Sequence, residues 1–187
     1  MSVASRRMPS RRPLAAQGGF SLIEVLVSTL VLTVGILGVA AMQMMSFQTN
    51  QSAYMRSQAV YLAQDMLDRI RANPDGYRNT TVYNAVDTDN GSTIPGSPNC
   101  IATPAGCSPT QMAQQDLREW SQNFVNTLNV ADFRPRLLNG RGIVERVTAG
   151  GNDFTVTVSW DDRDYDDAGN LTRDRVTRQV SFTATLN

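Results

Sequence analysis

A single carboxylate lies where an apolar segment begins, in the stretch GGFSLIEVLV over residues 18–27. Apart from Glu24, no charged residue occurs from residue 13 to residue 55. A carboxylate inside a membrane-length segment costs about 2–3 kcal/mol. Cleavage between Gly19 and Phe20 would create a compensating cation, because a new α-amino group is protonated at neutral pH. The spacing therefore predicts that Glu24 pairs with a Phe20 amine, of its own chain or of a neighbouring parallel helix.

The two cysteines offer redox or metal chemistry. Cys100 and Cys107 lie seven residues apart in a stretch rich in Pro, Gly and Ser. This spacing fits neither a zinc site nor a C-x-x-C redox pair. In an exported domain a small disulfide loop is the natural interpretation. We expect this disulfide, with two buried free thiols as the alternative.

A short acidic stretch offers oxygen ligands for calcium. It contains Asp161, Asp162, Asp164, Asp166 and Asp167. The spacing begins like an EF-hand loop, but Asp167 stands where that loop needs Gly, and Arg173 stands where it needs Glu. We therefore predict a solvated hairpin loop over residues 161–171 and no metal site, with calcium binding as the alternative.

The composition argues against an enzyme. The chain has 187 residues, and it contains no His and no Lys. Histidine is the usual general base and the commonest metal ligand. The hydroxyls and acids show no pairing of a nucleophile with a base in the sequence. We predict no catalytic residue and no cofactor.

Four arginines close in sequence raise the question of nucleic-acid binding; they are Arg134, Arg136, Arg141 and Arg146. Without the first nineteen residues, however, the chain has 13 basic and 17 acidic residues, a net charge of −4. The segment also lacks interleaved aromatic residues on which bases could stack. We predict ordinary surface arginines and no nucleic-acid partner.

A long helix must position the N-terminal residues. Residues 25–42 are almost wholly apolar, and about 20 such residues span a bilayer as a helix. The preceding Arg6, Arg7, Arg11 and Arg12 place its N-terminal side in the cytoplasm. The pattern continues as an amphipathic stripe until Asn73-Pro74. The stripe consists of Met55, Ala59, Leu62, Met66 and Ile70, with Ala63 and Leu67 beside them.

The sequence thus predicts one helix from Phe20 to Ala72, whose second half packs on a globular head. Residues 77–107 read as irregular. A second helix is predicted to start at a capping box formed by Ser108 and Gln111, with Pro109 at the first helical position. We expect this helix to end near Val130. Its apolar face is predicted to contain Ala113, Leu117, Trp120, Phe124 and Leu128.

Three predicted strands follow, a short one over residues 143–148 and two that alternate in period two over residues 153–160 and 175–182. In the second of them, one face carries Phe154, Val156, Val158 and Trp160. An antiparallel meander that lays one face on a helix is the simplest assembly. The predicted fold class is α+β.

The stretch GFSLIEVLV after a short basic leader resembles the class III signal of type IV pilins and pseudopilins. This resemblance implies the type IV pilin fold, cleavage by a prepilin peptidase after Gly19, N-methylation of Phe20 and an assembly role for Glu24. The proline that usually interrupts the apolar helix of major pilins is absent here. Gly35 and Gly38 are the points where this helix could bend.

Two further segments, AVYLAQDMLDRIRANPDGY and CSPTQMAQQDLREW, together with a strand ending in Trp160, resemble minor pilins of the PilV type, the type IV pilus modification proteins. The resemblance implies a low-abundance subunit of a tip complex that primes pilus assembly, with roles in adhesion and twitching motility. The implied partners are other minor and major pilins, the prepilin peptidase, the inner-membrane assembly platform, a tip adhesin and, before assembly, membrane lipid.

We accordingly expect four segments. Residues 1–19 are a cleaved basic leader, 20–47 the transmembrane and assembly half of the helix, 48–72 its amphipathic half, and 76–187 a periplasmic head. The expected location is the inner membrane as a single-pass protein, and then the pilus fibre at the cell surface.

Other interpretations of the N-terminus remain. One is a minor pseudopilin of a type II secretion system. Another is a secreted periplasmic protein whose ordinary signal is cut near Gly38-Val39-Ala40, and a third is a plain anchor that is never cut. In the last two, Glu24 would have no function.

Overall fold

Helix α1, Leu22–Ala72, begins after Ser21, whose carbonyl accepts hydrogen bonds from the backbone N–H groups of Glu24 and Val25. It ends before Asn73-Pro74, as the sequence predicts, since the residue before proline is pushed out of helical geometry. The Asn73 side chain caps the next helix, α2, Pro74–Asn79, by accepting from the Gly76 N–H. This short helix was not expected from the sequence.

The computed structural model describes residues 19–102, 104–165 and 171–187, with side chains for all of these except residues 164, 165 and 171–174. The predicted leader lies outside the described residues apart from Gly19, as do Asp166 and Asp167. The chain divides into two compact units, one up to Ser46 and the other from Phe47 onward.

In the second unit, α1 contributes the stripe that its sequence predicts. Its residues Ala59, Leu62, Ala63, Met66, Leu67 and Ile70 are buried. Met55 is partly buried against the same core. This apolar stripe is the face of α1 that enters the core, and burial of such apolar surface is the main favourable term in folding.

Helix α3, Pro109–Ser121, has the capping box predicted for it, with Ser108 and Gln111 bonding reciprocally. Ala113, Leu117, Trp120 and Phe124 are buried as expected. The predicted end near Val130 is wrong, and Leu128 is 58 % exposed. Asn123 and Asn126 account for the early end, because their side chains bond to the backbone of Trp120 and Val130 and so compete with the helix.

Four antiparallel strands form one sheet in the order β1-β2-β3-β4. Their bounds are β1 Ala85–Asp87, β2 Arg141–Arg146, β3 Asp153–Tyr165 and β4 Leu171–Thr185. The inner face of β3 carries Phe154, Val156, Val158 and Trp160, all buried, as the alternation predicts. Strand β1 was missed, because three residues are too few to show a period.

The predicted hairpin loop over residues 161–171 is too long. Asp161 and Asp162 lie within β3, opposite Thr177 and Val176, and β4 begins at Leu171. The aspartates are accommodated because each has a donor. Asp161 accepts from the Asn139 amide at 2.7 Å, and Asp162 accepts from the Ser52 hydroxyl at 2.7 and 2.8 Å.

Trp120 is the largest fully buried side chain in the structure. Its indole N–H donates to the Leu62 carbonyl at 2.8 Å, and its ring meets the Phe124 ring edge-on with centroids 4.9 Å apart. A Cβ at Gly142 would lie 2.4 Å from Trp120 Cη2. Strand β2 therefore approaches the tryptophan this closely only because residue 142 has no side chain.

Candidate functional site

The N-terminal unit presents the residues that the sequence singled out. Gly19, Phe20 and Ser21 precede α1, and Glu24 lies in its first turn. Phe20 is 83 % exposed. The Gly19–Phe20 bond thus lies in exposed backbone that precedes the helix. The carboxylate of Glu24 at a helix N-terminus is also favourably placed with respect to the helix dipole.

The same part of α1 is covered with exposed apolar side chains. Within residues 20–45, the large ones are between 51 % and 89 % exposed. The 25 residues from Leu22 to Ser46 make a rod of about 38 Å at 1.5 Å per residue, longer than a bilayer core of about 30 Å. In the described part of the chain, α1 is the one helix long and apolar enough to cross a membrane.

Three hydroxyl side chains in this apolar half are satisfied within the helix. The Ser28 hydroxyl donates to the Glu24 carbonyl at 2.7 Å, and the Thr33 hydroxyl donates to the Leu30 carbonyl at 2.8 Å. Thr29 donates to carbonyls in the same way. Hydroxyls bonded in this manner enter an apolar medium at low cost. Among the described side chains none donates to the Glu24 carboxylate, which therefore needs a partner from elsewhere when water is removed.

In the second unit, a disulfide joins Cys100 to Cys107, with Cα atoms 5.4 Å apart. The loop that it closes lies beside the start of α3. Ser97 donates to the Gln115 side chain at 3.2 Å, and the Cys100 sulfur lies 3.8 Å from the Gln111 carbonyl. The bridge therefore fixes this loop beside the first turns of α3, and the free-thiol alternative does not apply.

The densest polar cluster of the described head surrounds Arg69. This guanidinium bonds to Asp65 at 3.0 Å, to Asp116 at 3.4 Å and to Glu119 at 3.1 Å. Tyr83 donates to the other Asp116 oxygen at 2.8 Å. The Asp65 pair has the i,i+4 spacing that places two side chains on one face of a helix, whereas Asp116 and Glu119 lie far away in sequence on α3.

Burial raises the pKa of the Asp116 carboxyl, against the opposing effects of Tyr83 and Arg69. Burial, with the negative charge of Asp116, also raises the pKa of the Tyr83 hydroxyl. Burial lowers the pKa of Arg69, but the surrounding carboxylates raise it by more, so the net shift is upward. The cluster thus holds Tyr83 neutral and Arg69 charged, and it ties α1 to α3 and to the segment that follows α2. It contains no activated nucleophile.

The buried tyrosine makes stability depend on alkaline pH. Tyrosines in the unfolded chain ionise near pH 10, whereas Tyr83 stays protonated in the fold, so the free energy of unfolding falls by about 1.4 kcal/mol per pH unit above 10 through this residue. Urea unfolding of the full chain in detergent between pH 9 and 11 measures this slope. We expect Tyr83→Phe to flatten it by about that amount. Tyr54→Phe, at an exposed position, is the control; an equally steep slope in both variants would contradict the assignment.

The arginines grouped by sequence are separated in the fold. Arg141 makes two hydrogen bonds to Asp87, at 2.9 and 2.5 Å, and these hold the pKa of Asp87 below its usual value. Arg146 donates to the Tyr77 carbonyl and lies over the Phe154 ring at 4.8 Å. Arg134 and Arg136 are exposed in the segment before β2. Two of the four therefore serve the fold.

The aspartates proposed for calcium are also dispersed as far as they are described. Asp161 and Asp162 are neighbours on β3 and so point to opposite faces of the sheet. Within the described residues no group of three acidic, Cys or His side chains could hold a metal ion. The structure describes neither Asp166 nor Asp167, and it describes the backbone alone at Asp164.

Comparison with known proteins adds two matches. Residues 41–118 match the Tt1218-like family model, described as type IV pilin Tt1218. Residues 14–40 match the model of the prokaryotic N-terminal methylation motif. No curated protein matches the chain, and no solved structure does. With its long apolar helix and four-stranded antiparallel sheet, the chain has the α+β fold of a type IV pilin, and the two matches make it similar to type IV pilins and to the N-terminal methylation motif over residues 14–118.

Proposed function

We propose that this chain is a minor pilin of the type IV pilus, of the PilV type. In this proposal a prepilin peptidase cuts between Gly19 and Phe20 and N-methylates Phe20. The subunit waits in the inner membrane as a single-pass protein with its head in the periplasm. It then enters the fibre through the apolar half of α1, in a tip complex of minor pilins that primes assembly.

One observation carries the proposal: Glu24 lies in the first turn of α1, at the start of its exposed apolar half, four residues after Phe20 and inside a matched methylation motif. Removing an unpaired carboxylate from water costs several kcal/mol. A protonated amine at Phe20 compensates that cost only after the leader has been cut. Cleavage therefore makes the helix end compatible with a bundle of like helices.

The exposed apolar surface of residues 20–47 is a second observation that supports the same proposal. Large apolar patches on a protein mark sites that lipid or other proteins cover. In the membrane, lipid covers residues 20–47; in the fibre, the helices of neighbouring pilins cover them. The amphipathic half, residues 48–72, serves instead as a core helix of the head, residues 76–187, which selects the neighbouring subunits and presents an adhesin at the tip.

N-terminal mass analysis of the mature protein, purified from cells that also make the peptidase, tests the proposal. We expect a species that begins at Phe20 and is heavier by one methyl group. Replacing Gly19 with Val should leave the leader attached, because a β-branched side chain occupies the position where the peptidase needs glycine.

A mature chain beginning near Ala41 would instead indicate a secreted protein with an ordinary signal. Co-purified neighbours then distinguish a pilus subunit from a pseudopilin of a secretion system.

A further inference from the structure

The last strand of the sheet has an open and unprotected edge. Strand β4 pairs with β3 and with no other described strand. From Gln179 to Thr185 it reads QVSFTAT, with no charge, proline or glycine. The one irregularity in its pairing with β3 lies near the other end, at Arg163 and Tyr165. Natural edge strands usually carry charges, prolines or bulges that prevent further pairing, and this segment has none of them.

The core layer stops short of the same edge. On β3, Phe154, Val156 and Val158 are fully buried. Directly opposite on β4, their partners Ala184, Phe182 and Val180 are only partly buried against the core. A fifth strand beside β4 would cover these side chains and continue the apolar layer. Backbone pairing and apolar burial thus favour the same occupant, which is an extended segment.

A basic groove runs beside this edge and indicates the charge of that segment. Ser52 and Arg56 of α1 and Trp160, Arg178 and Gln179 of the sheet line it. The Asp162 carboxylate in the groove accepts a hydrogen bond from the Ser52 hydroxyl, which lies within 2.8 Å of both carboxylate oxygens. Arg56 and Arg178 are exposed, and the ion pairs of the described residues include neither of them. The groove therefore favours an acidic side chain.

A second copy of this chain fits poorly. Residues 175–187 contain Arg175 and Arg178 but no acid. A second β4 strand laid along this edge would therefore bring no carboxylate to Arg56 and Arg178. We propose that the edge of β4 from Arg178 to Thr185 binds, by β-strand addition, an extended segment of another protein whose acidic side chain pairs with Arg56 and Arg178.

Two synthetic peptides test the proposal with the full chain in detergent. Both are eight residues of alternating Val and Thr, and one carries a single Asp where the other carries Lys. Hydrogen exchange detected by mass spectrometry reports protection of residues 176–185, and Trp160 fluorescence reports binding at the groove. We expect the Asp peptide, at a concentration of about 1 mM, to slow hydrogen exchange of residues 176–185 at least threefold. The Lys peptide should bind about tenfold more weakly, because it lacks the attraction to two exposed positive charges.

The double variant Arg56→Gln, Arg178→Gln should bind both peptides equally, whereas Arg136→Gln, an exposed arginine elsewhere, should behave as wild type. Absence of β4 protection with either peptide, or equal binding of the two to wild type, would overturn the proposal. So would a dimer in light scattering with β4 already protected, because the occupant would then be a second copy. The assay needs neither cleavage nor assembly, so its result is independent of the proposed pilin function. If the double variant does not fold, the comparison of the two peptides on wild type decides the matter.

Discussion

Replacing Glu24 with Ala should reduce incorporation into pili by at least tenfold while leaving the subunit in the membrane and cut at Phe20. The apolar segment becomes more hydrophobic, so membrane insertion is unimpaired. In a helix bundle, however, the Phe20 amine then lacks its counter-charge, and an uncompensated buried charge costs about 3–5 kcal/mol. The fraction of the subunit that co-purifies with sheared pili, relative to the membrane fraction, measures the effect.

Matched variants separate charge from shape. Glu24→Gln keeps the length of the side chain but removes its charge, and it should fail as severely as Glu24→Ala. Ser28→Ala removes a hydroxyl one turn further along, which donates only to the Glu24 carbonyl, and it should assemble normally. Normal incorporation of Glu24→Gln would show that the carboxylate does not act as a charge, and the pairing with the Phe20 amine would have to be abandoned.

The sequence predicted most of the fold because local rules govern those parts. The stripe from Ala59 to Ile70 follows the helical period, and the capping box at Ser108 follows the chemistry of unsatisfied helix N–H groups. The alternating residues of β3 follow the period of a strand. These patterns depend on neighbours within a few residues, so a single sequence displays them.

What the sequence did not predict depends on contacts between distant segments. Asp161 and Asp162 read as a loop, yet Asn139 and Ser52, far away in sequence, supply donors that allow both to lie in a strand. The need for glycine at 142 arises from the Trp120 ring across the core. The edge of β4 resembles any other strand in sequence, since its lack of a second partner is a property of the whole sheet. For the N-terminal site, the motif named the residues, and the mainly apolar composition of residues 20–47 predicted a half of the helix that does not pack on the head.

Replacing Trp120 with Ala should lower the free energy of unfolding by about 3–5 kcal/mol, the range for removing a large buried aromatic side chain. The variant loses the edge-on contact with Phe124 and the hydrogen bond to the Leu62 carbonyl. It also leaves a cavity between α3 and β2, which the surrounding core fills only in part. Urea unfolding of the full chain in detergent, followed by circular dichroism, measures the change. The mature N-terminus should still be Phe20, because cleavage depends on the apolar unit.

A double-mutant cycle with Gly142 tests whether this contact has the geometry described. Gly142→Ala alone should destabilise the fold by about 1–3 kcal/mol, the usual cost of overpacking, because the new methyl group meets Trp120 Cη2 and Cζ3. Phenylalanine at position 120 lacks those two atoms, so Gly142→Ala should cost less than half as much in a Trp120→Phe background. The remaining cost comes from Phe124 Cε2, which would lie 2.8 Å from the new carbon. Additive effects of the two substitutions would mean that they do not touch, and the packing of β2 against α3 would then differ from that described.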